Sequence, residues 1–444
     1  MKKLLTIVMA LILVVVAGVS CGGNESNSES TPASGSPSAS ESTPVTPTGV
    51  KVGLLALHDS NSTYDKNFID AFNAACAAKG VEAVIKTNIE EGEICKTEAL
   101  NLVDDGCKLV FADSFGHEPY LREAAEASPE VQFCHATGTS AQTDKSLSNF
   151  HNAFASIYEG RYIAGYAAGL KLVEMYNANN AIAKDGVINV GYVGAYPYAE
   201  VKSGYTSWLL GVRKAFYESV NNVTVNMIVE FTNSWYNETW EKDAANVLIQ
   251  KGCAIISQHA DSWGAPTACE AAGVPNVSYN GSTISKCPNT FIISSRINWQ
   301  PYFEYIIDCV LNNRAIDADW TGELGDTFAT GSVCLTELGG KAPAAGTQAK
   351  IEEVAKKLKA GTIRVFDVST FTVSKAYTEN AFAALTGVTL DDNKHLTSAK
   401  QNGVEVIKEA NGIKYFDESC VSTNRSAPYF DIDIDGITLN LKAE

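Results

Sequence analysis

The chain has 444 residues, 45% of them hydrophobic and 9% aromatic, enough for two domains with cores of their own once a processed N-terminus is removed. Its formal net charge of −17 argues against nucleic acid or an anionic lipid surface as the main partner.

Lys2 and Lys3 precede an apolar run over residues 4–19, and Cys21 follows. A charged start, a short greasy core and small residues before a cut site predict a signal peptide over 1–20. The run is too short to span a bilayer comfortably as a mature helix. "AGVSC" resembles a bacterial lipobox with Gly18 where Leu is usual, so Cys21 is the expected lipidation site; an ordinary secretion cut is the alternative. Residues 24–48, almost all Ser, Thr, Pro, Asn, Glu, Gly and Ala, cannot bury enough apolar surface to order themselves. The segment 21–48 is therefore expected to be a lipidated tether. It would hold the protein on the extracytoplasmic face of the cell membrane, with membrane contact through the lipid only.

From position 50 the pattern alternates. "VKVGLLAL" reads as a strand buried on both faces, and "KNFIDAFNAACAAKG" as a helix closed by Gly80. "VEAVIKT", "CKLVFAD" and "VQFCHAT" follow as strands, separated by the helices "ICKTEALNLVDDG" and "EPYLREAAEAS". A long helix, "YEGRYIAGYAAGLKLV", introduces a second series. Its strands are "VINVGYVGA", "VTVNMIVEF", "CAIISQHA" and "VPNVSYN", alternating with "VKSGYTSWLLGVRKAFYES", "TWEKDAANVLIQKG" and "APTACEAAG". Such alternation predicts an α/β protein with parallel sheets and right-handed crossovers. The last 70 residues or so carry strand-like "GIKYFDESC" and "YFDIDIDGITLNL", an appended β-rich extension.

Two junctions nearly repeat each other: "GCKLVFADSFG" (106–116) and "GCAIISQHADSWG" (252–264). The helices upstream match too, "TEALNLVDDGC" against "KDAANVLIQKGC", which predicts an internal duplication into two related lobes. In open parallel sheets, ligands sit beyond the carboxyl ends of the strands. Asp113 and Asp261 fall there, each just before a helix whose N-terminus favours polar ligand groups.

The strand-end loops hold flat side chains: Tyr64, Phe115, Tyr196, Tyr198, Trp235, Tyr236, Trp263 and Tyr279. Among them lie His58, Asp59, Asp113, Ser114, Thr137, Asn233, His259, Asp261, Ser262 and Asn280. Aromatics from opposite lobes can sandwich a planar ligand while carboxyls and amides address its edge. Packing under their own loops, or helix capping by the two aspartates, is the plainer role for each residue taken singly. Recurrence of the set in both halves favours a site.

No GxSxG elbow and no GxxxxGK[ST] phosphate loop is present, so no catalytic residue is expected, and no cofactor. The ten cysteines after Cys21 include no CxxC pair and no Cys/His cluster at zinc spacing. Cys107 and Cys253 read as packing residues, and disulfides elsewhere stay open. "DIDIDG" (431–436) opens like a calcium loop, but its twelfth position is Lys442. It reads instead as a β-hairpin, and no metal site is expected.

The leader, the lipobox-like cysteine, the tether and the two lobes resemble the basic membrane lipoprotein family of ABC-transporter substrate-binding proteins, which includes purine nucleoside receptors. The most specific stretches are "SFG" with "EVQFCHATG", "YEGRYIAGYAAG", "GYVGAYPYAEVKSG", "NSWYNETWEKDAANVLIQKG" and "QHADS". The resemblance implies a type I periplasmic-binding-protein fold with three hinge crossings and no catalysis. Its lobes would comprise residues 49–150 with 285–320, and 151–284 with 321–373, leaving 374–444 as the extension. Tyr64 and Trp235 fall where that family stacks the base. Asp113, Ser114, Phe115, Tyr196, Asn233 and Asp261 complete the expected ligand-binding set. Thr137 and Ser282 stand where nucleoside-binding relatives tend to carry Asp, which brings a free base into play beside a nucleoside. The expected partners are this small molecule and an ABC permease, for a monomer. A sugar, a flavin or another metabolite is the alternative ligand; a sensor or adhesin acting through the extension is the alternative class.

Overall fold

The computed structural model describes residues 47–379, 384–418 and 425–441. The signal peptide, Cys21 and the tether up to residue 46 lie outside the described residues.

The first series runs β1 (Lys51–Leu55), α1 (Thr63–Lys79), β2 (Glu82–Lys86), α2 (Glu93–Asp104), β3 (Cys107–Ala112), α3 (Glu118–Ala127), β4 (Gln132–Ala136), α4 (Ser140–Thr143) and β5 (Phe150–Ala155). The second runs α5 (Ile157–Ala178), β6 (Val187–Gly194), α6 (Ala199–Tyr217), β7 (Thr224–Phe231), α7 (Glu238–Gln250), β8 (Ile256–Gln258), α8 (Gly264–Ala272), β9 (Asn276–Tyr279) and β10 (Phe291–Ile297). Then come α9 (Gln300–Leu311), β11 (Asp319–Gly322), β12 (Val333–Leu335) and α10 (Thr347–Lys359).

The first sheet has the order β2-β1-β3-β4-β5-β11, all parallel. The second repeats it as β7-β6-β8-β9-β10, with β12 antiparallel beyond β10. Under that correspondence β3 matches β8, so Asp113 and Asp261 follow equivalent strands. The chain passes between the sheets three times: after β5, between β10 and β11, and between β11 and β12.

Two boundaries differ from the sequence reading. The strand β5 completes the first sheet beyond residue 150, and β10, expected in the first lobe as part of 285–320, pairs with β9 in the second. Neither strand is punctuated by Gly or Pro on both sides, which hides it in the sequence.

The helices α5 and α6 explain "YEGRYIAGYAAG". A methyl group on Gly165 would lie 2.1 Å from the Trp208 carbonyl oxygen, and one on Gly211 would lie 2.0 Å from that of Tyr162. Only glycine lets the two backbones touch there. At the far end of α1, Gly80 takes the left-handed conformation (φ 67°) and its N–H donates to the Cys76 carbonyl.

The extension forms an antiparallel sheet of β13 (Leu385–Leu390), β14 (Leu396–Gln401) and β15 (Val404–Glu405), followed by the hairpin of β16 (Ile407–Ala410) and β17 (Ile413–Phe416). Asn411 and Gly412 turn that hairpin at φ 54° and 75°, the left-handed pair that a two-residue hairpin turn needs. The hairpin expected at "DIDIDG" is absent. Residues 431–434 are irregular, and β18 (Ile437–Asn440) instead joins the second sheet parallel to β7. The alternating aspartates are held elsewhere: Asp431 and Asp433 pair with Lys202 of α6 at 2.9 and 2.7 Å.

Nine cysteines are free and buried among the described residues. Burial pushes the Cys107 thiol up to about 11 and the Cys253 thiol up to about 12, so both behave as small apolar groups.

Candidate functional site

The carboxyl ends of the two sheets face each other across a narrow cavity. Leu57, His58, Tyr64 and Asp65 reach it from the turn after β1 and the start of α1, Ser114 and Phe115 from the loop after β3, and Thr137 from the end of β4. Opposite them stand Glu200 at the start of α6, Trp235 after β7, His259 and Asp261 after β8, and Tyr279 at the end of β9.

The sheets are closed on each other. The first N–H of α1, at Thr63, donates to the Asp261 carbonyl at 3.0 Å, and the Thr63 hydroxyl donates to the same oxygen at 3.1 Å. The Trp263 indole donates to the Asn61 carbonyl at 3.1 Å. Farther back, Asn67 Nδ2 donates to the Ile297 carbonyl beside the second crossing.

On the first-sheet side, Asp65 organises the turn. Its Oδ1 accepts from His58 N at 2.7 Å, and its Oδ2 accepts from the hydroxyl of the capping Ser62 at 2.6 Å. Burial raises its pKa, but the bonds from His58 and Ser62 outweigh that and hold it below the usual value. Tyr64 presents its ring to the cavity and donates its hydroxyl to the Asp113 carbonyl at 2.7 Å. Thr137 sits at φ 68°, a strained conformation for a β-branched residue. Its buried hydroxyl has no partner among the described residues.

On the second-sheet side, Arg161 of α5 lies beneath the floor, 1% exposed. It donates to the Gln258 carbonyl and to His259 Nδ1, both at 2.9 Å. With Nδ1 accepting, Nε2 carries the imidazole proton and donates to Glu200 Oε1 at 3.4 Å. Burial and the Arg161 charge push the His259 pKa well down, so the ring stays neutral. Burial pushes Glu200 up to about 7, against the pull of Arg161. Asp261 is raised well above the usual carboxylate range by burial and then by Asp65, although its Oδ1 accepts from Asn280 Nδ2 at 3.2 Å. A neutral carboxyl offers a donor and an acceptor side by side, which suits the edge of a heterocycle carrying both.

Of the eight residues expected from sequence, Tyr64, Ser114, Phe115, Trp235 and Asp261 line the cavity. Asp113 does not. It is fully buried behind Tyr64, where its Oδ1 accepts from Leu57 N at 3.1 Å. Tyr196 also stands back, its ring stacked 5.2 Å from Tyr198 and edge-on to Trp235 at 5.0 Å, so it braces the tryptophan. Asn233 is exposed in the turn after β7 at φ 57°, its N–H bonded to the Ala195 carbonyl. Four further lining residues, His58, Thr137, His259 and Tyr279, stand among the strand-end side chains noted in the sequence but outside the set of eight, whereas Leu57, Asp65 and Glu200 of the lining, and Arg161 beneath it, are not singled out there at all. Asp65 and Glu200 lie within the first turns of helices, where acidic residues read as dipole partners, and Arg161 lies mid-helix, so nothing local in the sequence marks them.

A family model for PnrA-like ABC transporter substrate-binding proteins matches residues 56–327. A purine-binding protein of Brucella abortus is 30% identical over 223 residues, 50% of this chain and 57% of that protein. A Haloferax volcanii protein named as an ABC transporter glucose-binding protein is 30% identical over 232 residues, 52% of each. The chain thus spans just over half the length of these relatives. Solved structures of ABC transporter solute-binding proteins share the fold. One from Conexibacter woesei has 17% identity and a TM-score of 0.54, covering 71% of this chain and 98% of its own. One from Aeropyrum pernix has 16% identity and a TM-score of 0.56, covering 71% and 93%. The architecture is the type I periplasmic-binding-protein fold with added C-terminal strands.

Proposed function

The chain belongs to the PnrA-like family of ABC transporter substrate-binding proteins, and on that premise we propose that it captures a purine base or nucleoside by hinge closure and hands it to an ABC permease. One observation carries this reading. Tyr64 and Trp235 enter the cavity from opposite sheets, with Asp65, Glu200 and Asp261 around them. Flat walls and a carboxyl-rich edge fit a nitrogen heterocycle better than a bare sugar. The purine-binding relative supports the same ligand class. Closure is favoured because contacts from both lobes coexist only in the closed arrangement. Binding, with no bond made or broken, is the role proposed for every group in the cavity. The proposed setting is the outer face of the cell membrane, by way of Cys21. Among the described residues no helix is long and apolar enough to cross a membrane.

A second reading, a sugar ligand, is favoured by the Haloferax relative. A thermal-shift panel of purines, nucleosides and hexoses separates the two, since a ligand bound only by the native state raises its melting temperature. A shift with hexoses and none with purines would overturn the first reading. Mass spectrometry of the ligand that co-purifies identifies it directly.

A further inference from the structure

The extension is anchored on the second lobe. Lys202 of α6 holds Asp431 and Asp433, the Ser203 hydroxyl donates to the buried Glu418 carboxylate at 2.5 Å, and β18 lies along β7. From these anchors the backbone reaches across to the first lobe, where Ser426 N donates to Asp319 Oδ2 on β11 at 2.7 Å. Arg425, 6% exposed, donates to the Ala427 carbonyl at 3.2 Å and to the Pro428 carbonyl at 2.8 Å, which fixes the turn. Arg425, Ala427 and Pro428 bound a narrow recess together with Phe115, Thr137 and Glu200. The last three residues also line the cavity of the candidate site, so the recess and the cavity adjoin. The family match ends at residue 327, upstream of residues 425–428 and of the extension's anchoring residues.

We propose that residues 425–428 are a third wall of the ligand site, one that bars the cleft beside Thr137 and ties the lobes together through Asp319. The proposal rests on reading this cleft as the ligand site. A wall in that place admits a compact ring and shuts out a substituent pointing towards Thr137. Hinge opening requires Ser426 to leave Asp319, so the tie also slows ligand release. Specificity is thereby set by a segment outside the two lobes.

The test uses the whole chain with adenine, hypoxanthine and guanine, and with their ribosides. Arg425→Ala, which loosens the turn, is expected to raise riboside affinity relative to the bare base about tenfold. Asp319→Ala is expected to speed ligand dissociation about tenfold, whereas Asp319→Asn, which keeps an acceptor for Ser426 N, holds the wild-type rate. Spin labels at the exposed positions Lys66→Cys and Asp243→Cys report the distance between lobes without any ligand. That distance distribution is expected to broaden in Asp319→Ala. If purines bind but preference, release rate and distances all match the wild type, the wall is overturned and the ligand reading stands. If no purine binds and the distances still broaden, the tie stands and the ligand reading falls.

Discussion

The Arg161 guanidinium sits over the Tyr279 ring, its central carbon 3.3 Å from the ring centroid. The same side chain reaches His259, so one buried cation positions two cavity groups at once. Guanidinium stacking and forked hydrogen bonding are both beyond lysine. Arg161→Lys is therefore expected to destabilise the protein almost as much as Arg161→Met. Each should cost about 3 kcal/mol, because acceptors at Gln258 and His259 lose their donor in a buried place. Urea unfolding measures it; a loss under about 0.5 kcal/mol would argue against the role.

The two ring walls separate by chemistry. Trp235→Ala removes stacking area braced by Tyr196 and should weaken purine binding about 10–100-fold, for ~1–3 kcal/mol of lost stacking. Tyr64→Phe keeps the ring and loses only the bond to the Asp113 carbonyl, so binding should hold within about threefold while stability drops about 1 kcal/mol. Isothermal titration with adenine and hypoxanthine, alongside melting curves, gives both numbers.

Asp113 and Asp261 occupy matching places in the two sheets, yet only Asp261 lines the cavity. Asp261→Asn should cost at least about tenfold in purine affinity, while Asp113→Asn should leave affinity unchanged and alter stability only. Equal losses of affinity in both variants would contradict this division of labour.

Glu200 supplies a pH signature. Its folded-state pKa of about 7 lies above the ordinary 4.5, so folding favours its neutral form. That contribution is complete below about pH 4.5 and is lost as pH rises through about 7. Glu200→Gln fixes the neutral form. Relative to the wild type, the variant should gain up to about 3 kcal/mol between pH 4.5 and pH 8. Denaturant midpoints at the two pH values check the sign as well as the size.

Gly211→Ala forces a methyl group to within 2.0 Å of the Tyr162 carbonyl. The helices α5 and α6 must separate, at a cost of about 3 kcal/mol or more. Gly273→Ala meets no neighbouring atom within 4 Å and is strained only by its φ of 68°. It should cost about 1 kcal/mol, the penalty of a side chain in the left-handed region. Thermal unfolding ranks the pair.

The repeated Asp-Ser-aromatic-Gly junction was enough to read the duplication, because burial on both faces of a parallel strand leaves long apolar runs that helices interrupt regularly. Tyr64 and Trp235 were legible for a related reason: large rings in strand-end loops have few roles other than packing or binding. Glu200, His259 and Arg161 form a chain that no local pattern reveals, since it joins two helices and a loop far apart in sequence. The true partner of the C-terminal strand was equally hidden. "DIDIDG" carries a genuine turn signal, but Lys202 on α6 draws its aspartates into ion pairs, and "ITLN" finds the free edge of β7 instead.

Docking of β18 beside β7 brings together residues 210 positions apart, Asn440 and Glu230 among them. Closing so long a loop adds only logarithmically to the entropy lost, but the encounter is slow compared with local pairing. The second lobe should therefore acquire its helices and its five duplicated strands early in refolding, and gain its outermost strand in a separate, later phase. Pulsed hydrogen exchange would resolve that phase as late protection of the amides along β18 and the facing edge of β7.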